Sequence, residues 1–364
     1  MKFSTTGEKI KQKISLLDKV TSKNNQLRAL QTILFEVKKN KLILRATNLD
    51  VGVEVTIPVK IEKEGVVALS SSILNQFLST LRSDDLVTFE LVETNILITS
   101  SKSTTLIKTE QIEDFPILPK VTENKQEINP QDLILGFRSV FFSVAVSDIK
   151  PEIASVYIYN DNTTLCFVAT DSFRLAEKKI ENTKNTIDSI IFPYKNVLEV
   201  IRFFEEEKNP IELCYDKNQI SLTSEGVYLT ARLVNGVYPN YRQIIPTSFK
   251  TQATLFKNNF SEGLKQASVF LDEFNRLTIK THKDDDSIEI ESRNTNTGEN
   301  TTQTEAHITG DDITMGFNHR YVSEVLPHIT TDSVALKFID QTRPLVITPV
   351  GDVSFLYLVM PVNR

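Results

Sequence analysis

The stretch Ala169-Thr170-Asp171-Ser172-Phe173-Arg174-Leu175-Ala176 lies near the middle of the chain. It follows an alternating apolar run at 155–159 and a second short apolar run at 165–168. Alternation with β-branched and aromatic residues is typical of strands, and Thr-Asp-Ser is typical of a turn. We therefore predict a hairpin whose second strand continues past a kink at Thr170 and Asp171. The alternative is a plain turn, with Phe173 and Leu175 as two core residues on one face of a strand.

The pattern around this stretch recurs along the chain. Asn48, Asp171 and Asn294 are spaced 123 residues apart, and Ala46-Thr47 stands before Asn48 as Ala169-Thr170 stands before Asp171. Apolar residues four apart predict a helix in each repeat, at 70–81, 194–204 and 319–326. A hairpin is predicted after each helix, at 87–100, 211–224 and 334–349. Each repeat then ends in an apolar segment that contains proline.

A repeat of this length has the size of a domain. We predict an α+β protein of three tandem copies, at 1–122, 123–247 and 248–364, each with two helices and about eight strands. The first helix of each copy is predicted at 7–20, 130–147 and 259–273. Chance similarity between β-rich domains is the alternative.

Composition limits the class of protein. The chain has 364 residues and a net charge of −6, which argues against a protein that coats nucleic acid by bulk charge. No apolar run approaches the roughly 18 residues of a membrane span, and Met1-Lys2-Phe3 does not lead into a secretory signal. We expect a cytoplasmic protein in which Cys166 and Cys214 are reduced and buried in strands.

The first predicted helix is locally basic. Ile10, Ile14 and Leu17 form its apolar stripe, and Lys9 and Lys13 lie along one flank. This flank is either a binding surface for an anionic partner or a solvated face without a ligand.

No motif for catalysis is present. The chain has no Gly-rich phosphate loop, no HExxH, no CxxC and no Gly-x-Ser-x-Gly. His319 and His328 are nine residues apart on one predicted helix, so they do not share a metal-binding face. The acidic run after His282 is predicted to be a hairpin tip, and Glu205-Glu206-Glu207 a solvated cluster. We predict no catalytic residue, no metal and no cofactor, and therefore a binding or scaffold protein.

Three motifs in this three-copy arrangement resemble one family. They are Ala-Thr-Asp-x-x-Arg-Leu-Ala at 169–176, Tyr-Pro-Asn-Tyr-Arg at 238–242 and Met-Pro at 360–361. The whole chain is similar to the bacterial sliding clamps, the beta subunits of DNA polymerase III. The resemblance implies a homodimer, joined head to tail into a closed ring of six domains with helices lining the hole. Such a ring encircles double-stranded DNA without regard to sequence and gives processivity to the polymerase it tethers.

The resemblance also implies the partners and the site residues. The partners are DNA, a second copy of the chain, the polymerase alpha subunit, the clamp loader and other proteins with a clamp-binding motif, but no membrane. Carried over by motif, the pocket for partner peptides consists of Ile153, Thr170, Ser172, Phe173, Arg174, Leu175, Pro239, Tyr241, Arg242, Gln243, Ile244, Pro344, Leu358, Val359, Met360, Pro361 and Val362. The residues expected to contact DNA are Lys9, Lys13, Lys23, Arg82, Arg138, Lys195, Arg202, Lys265 and Arg320.

The dimer seam is expected to join an edge strand of the first copy, at Thr105 and Ile107, to the end of a helix in the third copy, at Val269 and Phe270. The alternative for Val269 and Phe270 is ordinary core. The chain departs from the family pattern in having Ser172-Phe173 where Gly-His or Gly-Tyr is usual, and Gln243 where Arg is frequent.

Two other functions remain open on the sequence alone. One is a monomeric peptide-binding scaffold that does not encircle DNA. The other is a hydrolase or transferase with a site assembled between the copies. Mass in solution separates the scaffold from the ring, and a nucleophile paired with a base would indicate the enzyme.

Overall fold

The computed structural model describes residues 1–22, 27–111, 115–147, 149–181, 183–184 and 186–362. Its elements follow the predicted threefold pattern of helices and hairpins. In the first copy they are β1 (Lys2–Thr6), α1 (Gly7–Val20), β2 (Thr32–Lys38), β3 (Lys41–Thr47), β4 (Val51–Pro58), β5 (Lys60–Lys63), β6 (Gly65–Ser70), α2 (Ser71–Ser79), β7 (Leu86–Val92), β8 (Asn95–Thr99) and β9 (Thr104–Glu110).

The second and third copies repeat this order. The second contains β10 (Gln126–Ile128), α3 (Pro130–Val140), β11 (Ser155–Asp161), β12 (Thr164–Thr170), β13 (Arg174–Ile180), β14 (Ile190–Pro193), α4 (Tyr194–Phe204), β15 (Ile211–Tyr215), β16 (Gln219–Ser224) and β17 (Val227–Arg232). The third contains β18 (Thr251–Phe256), α5 (Lys257–Ala267), β19 (Arg276–His282), β20 (Ser287–Asn294), β21 (Gly298–Glu305), β22 (His307–Thr309), β23 (Thr314–Asn318), α6 (His319–Glu324), β24 (Ser333–Phe338), β25 (Leu345–Pro349) and β26 (Phe355–Val359).

One compact unit comprises Met1–Ile134 and Lys195–Asn235. Its sheet has 13 strands in the order β10-β15-β16-β17-β4-β3-β2-β6-β9-β8-β7-β1-β5. β17 and β4 pair antiparallel, so strands of the second copy extend the sheet of the first. As predicted, α1 buries Ile10, Ile14 and Leu17 completely, which places its lysines toward solvent.

The other compact unit comprises Leu135–Tyr194 and Gly236–Arg364. It contains a nine-stranded sheet, β14-β11-β12-β13-β26-β25-β24-β18-β22, and a four-stranded sheet, β21-β20-β19-β23. β13 and β26 pair antiparallel with Leu175 opposite Leu358. This pairing joins the stretch at 169–176 to the C-terminal strand. The predicted copy boundaries at 122 and 247 stay a prediction.

The stretch at 169–176 reverses direction, so the prediction of a strand that continues past a kink is wrong. β12 and β13 are antiparallel neighbours, with Thr170 opposite Leu175. Asp171 Oδ1 accepts hydrogen bonds from the backbone N–H groups of Phe173 (2.9 Å) and Arg174 (3.0 Å). Ser172 has φ +80°, a left-handed conformation that a tight turn requires. The side chain of Asp171 thus closes the turn that the alternative interpretation predicted, although Phe173 is exposed and is not a core residue.

The first copy contains the same turn. Asn48 Oδ1 accepts from the N–H groups of Asp50 (3.0 Å) and Val51 (2.8 Å), and Leu49 has φ +77°. Thr47 Oγ1 donates to the carbonyl of Val51 at 2.8 Å, as Thr170 Oγ1 donates to the carbonyl of Arg174 at 2.6 Å. The repeat seen in the sequence is therefore also a repeat of hydrogen bonds.

The hairpins and helices are largely as predicted, and α1 and α4 match residue for residue. α2 occupies Ser71–Ser79, slightly shorter than the predicted 70–81. Cys166 and Cys214 are buried in β12 and β15, and the acidic run after His282 forms the tip of the β19–β20 hairpin.

Three helix predictions are too long. α3 ends at Val140, not at 147, because Val140 leaves helical geometry (φ −126°, ψ −26°) and a 3-10 turn follows. α5 runs from Lys257 to Ala267 rather than 259–273, and it ends in a 3-10 turn, Ser268–Phe270. α6 ends at Glu324, and Pro327, which lacks an N–H donor, lies in a separate 3-10 turn. His319 and His328 are therefore not on one helix.

No helix in the described ranges is long and apolar enough to cross a membrane. Among the same residues, no group of three or more His, Cys, Asp or Glu side chains is placed to hold a metal ion.

Candidate partner-docking site and DNA-contact residues

Four large apolar side chains in the segments predicted to form the partner pocket are exposed. Their exposed fractions are 60% for Phe173, 48% for Ile244, 36% for Met360 and 37% for Val362. Phe173 lies in the β12–β13 turn, and Ile244 ends the 3-10 turn Tyr241–Ile244. Exposed apolar groups of this size are typical of a surface that binds a partner.

Backbone hydrogen bonds fix the C-terminal segment beside the β12–β13 turn. The N–H of Met360 donates to the carbonyl of Phe173 at 2.8 Å, and the N–H of Val362 donates to the carbonyl of Gly316 at 2.9 Å. The ring of Phe173 stacks on that of Tyr321, with centroids 6.4 Å apart. The structure thus brings together Phe173 and Met360, which are 187 residues apart in sequence.

Other predicted pocket residues lie beneath this surface. Leu175, Leu358 and Val359 are almost completely buried in β13 and β26, where Val359 also pairs with Leu345 of β25. The hydroxyl of Thr170 donates to the carbonyl of Arg174 and so helps to close the turn. Pro344 and Ile153 are buried, whereas Ser172, Pro239 and Gln243 are exposed and Pro361 is half-buried. The buried members supply a rigid base and the exposed ones supply the contact surface.

Arg174 is held inside the fold. It is 6% exposed, and its guanidinium donates to Asp171 Oδ2 (2.9 Å), to the carbonyl of Phe142 (2.9 Å) and to Glu324. It also lies 4.7 Å from the centre of the Tyr321 ring. The resemblance implied that Arg174 belongs to the pocket for partner peptides. The structure instead has it joining the β12–β13 turn to α6, so its effect on a partner is indirect.

Glu324 gives this arrangement a dependence on pH. Burial alone would raise the pKa of Glu324, but hydrogen bonds from Arg174 and Arg320 outweigh burial and hold the pKa below its ordinary value of 4.5. A carboxyl with a lowered pKa contributes stability that is complete above the unfolded pKa and lost as pH falls through the folded one.

We expect the melting temperature of the wild-type chain to fall more steeply below about pH 4.5 than that of a Glu324→Gln variant. Melting followed by circular dichroism between pH 7 and pH 3 measures this. The exposed Glu305 is the matched control. The melting temperature of Glu305→Gln should fall with pH as steeply as that of the wild type. Equal slopes for wild type and Glu324→Gln would contradict the role of Glu324.

The predicted DNA-contact residues differ in exposure, and two of them form an ion pair within their own helix. In the first unit Lys9, Arg82 and Lys195 are exposed and Lys13 is half-buried, while Arg202 is bonded to Glu199. In the second unit Arg138 and Lys265 are exposed, while Arg320 is bonded to Glu324 at 2.5 Å. Lys23 lies outside the described residues. Arg202 and Arg320 are each compensated by a carboxylate of their own helix, so their charge is less available to phosphate than the sequence suggested.

The predicted seam residues differ in exposure: Ile107 is buried and Thr105 is half-buried. Val269 is 68% exposed and Phe270 half-buried, so the alternative of ordinary core does not hold for Val269. Thr105 and Ile107 lie on β9, which pairs with β8 along 104–108 but with β6 only at Thr109 and Glu110. Within the described part of the chain, most of the other edge of β9 therefore faces no strand.

Four side chains important to the site were not predicted. Tyr321 and Glu324 contact the β12–β13 turn from α6, and Tyr159 and Glu177 bond the segment at 241–242. Arg174 and Glu324 are 150 residues apart, and Tyr241 and Glu177 are 64 apart. No local pattern reveals such pairs.

Comparison with known proteins agrees with this arrangement along the whole chain. Three family models match consecutive segments: the N-terminal domain of the DNA polymerase III beta subunit at 1–119, the central domain at 127–240 and the C-terminal domain at 242–363. The chain belongs to the DNA polymerase III beta subunit family. This membership confirms the predicted α+β architecture of three clamp domains.

Individual relatives are distant but span the full length. The beta sliding clamp of Synechococcus elongatus is 26% identical over 332 residues, covering 89% of this chain and 88% of the relative. That of Streptococcus pneumoniae is 25% identical, covering 99% of each. The structure of DNA polymerase III beta subunit from Thermotoga maritima has a TM-score of 0.94 at 24% identity, covering 100% of this chain and 99% of that one. A Pseudomonas aeruginosa clamp bound to griselimycin has a TM-score of 0.95 at 20% identity, covering 100% of both chains. The two structures show the shared fold.

Proposed function

We propose that this chain is a DNA sliding clamp that encircles duplex DNA and tethers the replicative polymerase and other replication and repair proteins. Membership of the beta subunit family supports this function and does not favour the monomeric scaffold or the enzyme. A clamp has no catalytic activity of its own, since the chemistry belongs to the polymerase that it holds. The chain would work in the cytoplasm as a homodimeric ring.

A ring holds DNA by topology, so it needs no tight or specific contact. Strong phosphate binding would oppose sliding, and a few exposed lysines are enough to keep the duplex centred. A net charge of −6 is compatible with this task because the outer surface carries most of the acidic groups in such a design.

Neutralising Lys9 and Lys13 together, as Lys9→Gln and Lys13→Gln, is expected to weaken DNA binding about threefold. Loss of two phosphate contacts should also make the slope of log K against log salt less steep by about 1.8, at about 0.9 per contact. Salt titration of clamp binding to labelled duplex measures both. Lys60→Gln with Lys63→Gln, two exposed lysines on β5, is the control and should keep the wild-type slope. An unchanged slope for the first pair would exclude this flank of α1 from the DNA surface.

The observation that carries the docking role is the exposure of the apolar side chains of Phe173, Met360 and Val362, the first two on segments joined by a backbone hydrogen bond. The family's partners present a short peptide with a glutamine, a leucine and a hydrophobic-aromatic pair. Apolar side chains and a polarisable methionine accommodate several such peptides. We assign to this surface the docking of the polymerase alpha subunit, the clamp loader and other proteins that carry the motif.

Binding of a fluorescein-labelled Gln-Leu-Ser-Leu-Phe peptide, followed by fluorescence polarisation, tests the docking role. We expect Met360→Ala to weaken binding about tenfold, since truncation removes apolar contact of about 1.4 kcal/mol. Val353→Ala, which changes an 89% exposed valine in the β25–β26 turn, should bind as wild type. A wild-type chain that does not bind the peptide would overturn the docking proposal.

A further inference from the structure

A series of hydrogen bonds in the second unit joins the 3-10 turn Tyr241–Ile244 to β11 and β13. Tyr241 Oη donates to Glu177 Oε2 at 2.5 Å and lies 2.6 Å from Tyr159 Oη. Arg242 Nη2 donates to Tyr159 Oη at 2.8 Å and to Asp161 Oδ2 at 2.6 Å. Tyr159, Glu177 and Tyr241 are each less than a tenth exposed.

The direction of every bond in this series is determined. A guanidinium can only donate and a carboxylate can only accept. Arg242 therefore donates to Tyr159, Tyr159 donates to Tyr241, and Tyr241 donates to Glu177, whose other oxygen lies 3.0 Å from Lys179 Nζ. Burial raises the pKa of Tyr159 to about 12 and raises that of Tyr241 as well, so both hydroxyls keep their protons at neutral pH.

These hydrogen bonds connect the turn that carries Ile244 to two strands of the nine-stranded sheet. Glu177 is on β13, opposite Leu356 of the C-terminal strand β26. Tyr159 and Asp161 are on β11. Tyr241 and Arg242 begin the 3-10 turn that ends in the exposed Ile244. Removal of one member leaves a buried polar group without its partner and releases the turn from the sheet.

We infer that Tyr159, Glu177 and Tyr241 are positioning residues, which hold the 3-10 turn Tyr241–Ile244 in the place where its exposed side chains meet a partner peptide. This inference rests on the proposed docking function. Tyr241 then acts from inside the fold and is not itself a peptide contact, unlike what the motif alone indicated. Tyr159 lies on β11, outside the Tyr-Pro-Asn-Tyr-Arg motif that contains Tyr241.

The test uses the full-length chain and the labelled Gln-Leu-Ser-Leu-Phe peptide. Tyr159→Phe and Tyr241→Phe should each weaken binding about fivefold to tenfold. The double variant should bind the peptide only slightly more weakly than either single variant, because both substitutions interrupt the same series of hydrogen bonds. Tyr157→Phe is the matched control. Its ring stacks on Tyr159 at 4.9 Å, its hydroxyl takes no part in the series, and it should bind as wild type.

Hydrogen exchange distinguishes positioning from a general loss of stability. In the Tyr159→Phe and Tyr241→Phe variants, the amides of Tyr241 and Ile245, which close the turn by donating to Pro239 and Arg242, should exchange faster. Amides of the distant strand β24 should keep their wild-type rates. Faster exchange everywhere would mean a merely structural role and would overturn the inference.

Failure of the inference is separable from failure of the proposed function. A wild-type chain that does not bind the peptide removes the docking function itself. A wild type that binds, with Met360→Ala weakened and both tyrosine variants unchanged, leaves the docking function standing and overturns the positioning role alone.

Discussion

The double variant Val269→Ala, Phe270→Ala is expected to convert the dimer to monomer. Val269 is 68% exposed in the 3-10 turn that follows α5, so the described residues cover little of its apolar surface. Burying one such side chain against a partner contributes about 1.5–3 kcal/mol, so two truncations per seam should raise the dissociation constant at least 100-fold. Light scattering over a dilution series measures the mass, which for the wild-type ring is twice the 41.3 kDa of one chain.

The control for this variant is Val353→Ala, which truncates a still more exposed valine (89%) on a turn that we do not assign to the seam. It should remain dimeric, and both variants should keep the wild-type circular dichroism spectrum. A double variant that keeps the wild-type mass at nanomolar concentration would exclude Val269 and Phe270 from the seam. A wild-type chain that is monomeric at micromolar concentration would instead favour the scaffold function.

The features predicted correctly from sequence depend on local patterns. α1 and α4 have complete apolar stripes, and the hairpins have clear alternation between turn residues, so their positions follow from neighbouring residues. The 123-residue spacing of Asn48, Asp171 and Asn294 also indicated that the same local structure recurs. The structure confirms this for the turns at Asn48 and Asp171.

The features that were missed depend on single side chains or on distant partners. The helical spacing of apolar residues continues beyond Val140, but the backbone leaves helical geometry there. The spacing of apolar residues alone does not indicate this end of the helix. The turn after Thr170 is closed by one carboxylate oxygen of Asp171. The exposure of Phe173 and the burial of Arg174 follow from contacts with α6, which is about 150 residues away. The motif indicated which residues matter but not which of them face a partner.

Replacing Arg174 with valine is expected to have the largest effect on the docking site. The change removes the donors that hold Asp171, Glu324 and the carbonyl of Phe142. Breaking a buried ion pair by removing one partner costs about 3–5 kcal/mol. The local free energy of opening of the α6 amides, measured by hydrogen exchange, should fall by about that amount, and affinity for the labelled peptide should fall with it.

Valine is an informative substitute because the chain itself has Val51 at the equivalent position of the first copy, 123 residues earlier. There the same Asx-type turn forms without an arginine, so Arg174→Val should leave the amides of the turn protected. Faster amide exchange is expected in α6, because Tyr321 and Glu324 lose their contact with Arg174.

The control is Arg343→Ala, a change of an exposed arginine, which should alter neither amide exchange nor peptide affinity. If α6 keeps its protection in Arg174→Val, then Arg174 does not join the two elements. Loss of protection confined to the turn would mean that Arg174 acts only on its own hairpin. The expected pattern, a protected turn beside a released α6, would show that this arginine links the β12–β13 turn to the helix that carries Tyr321.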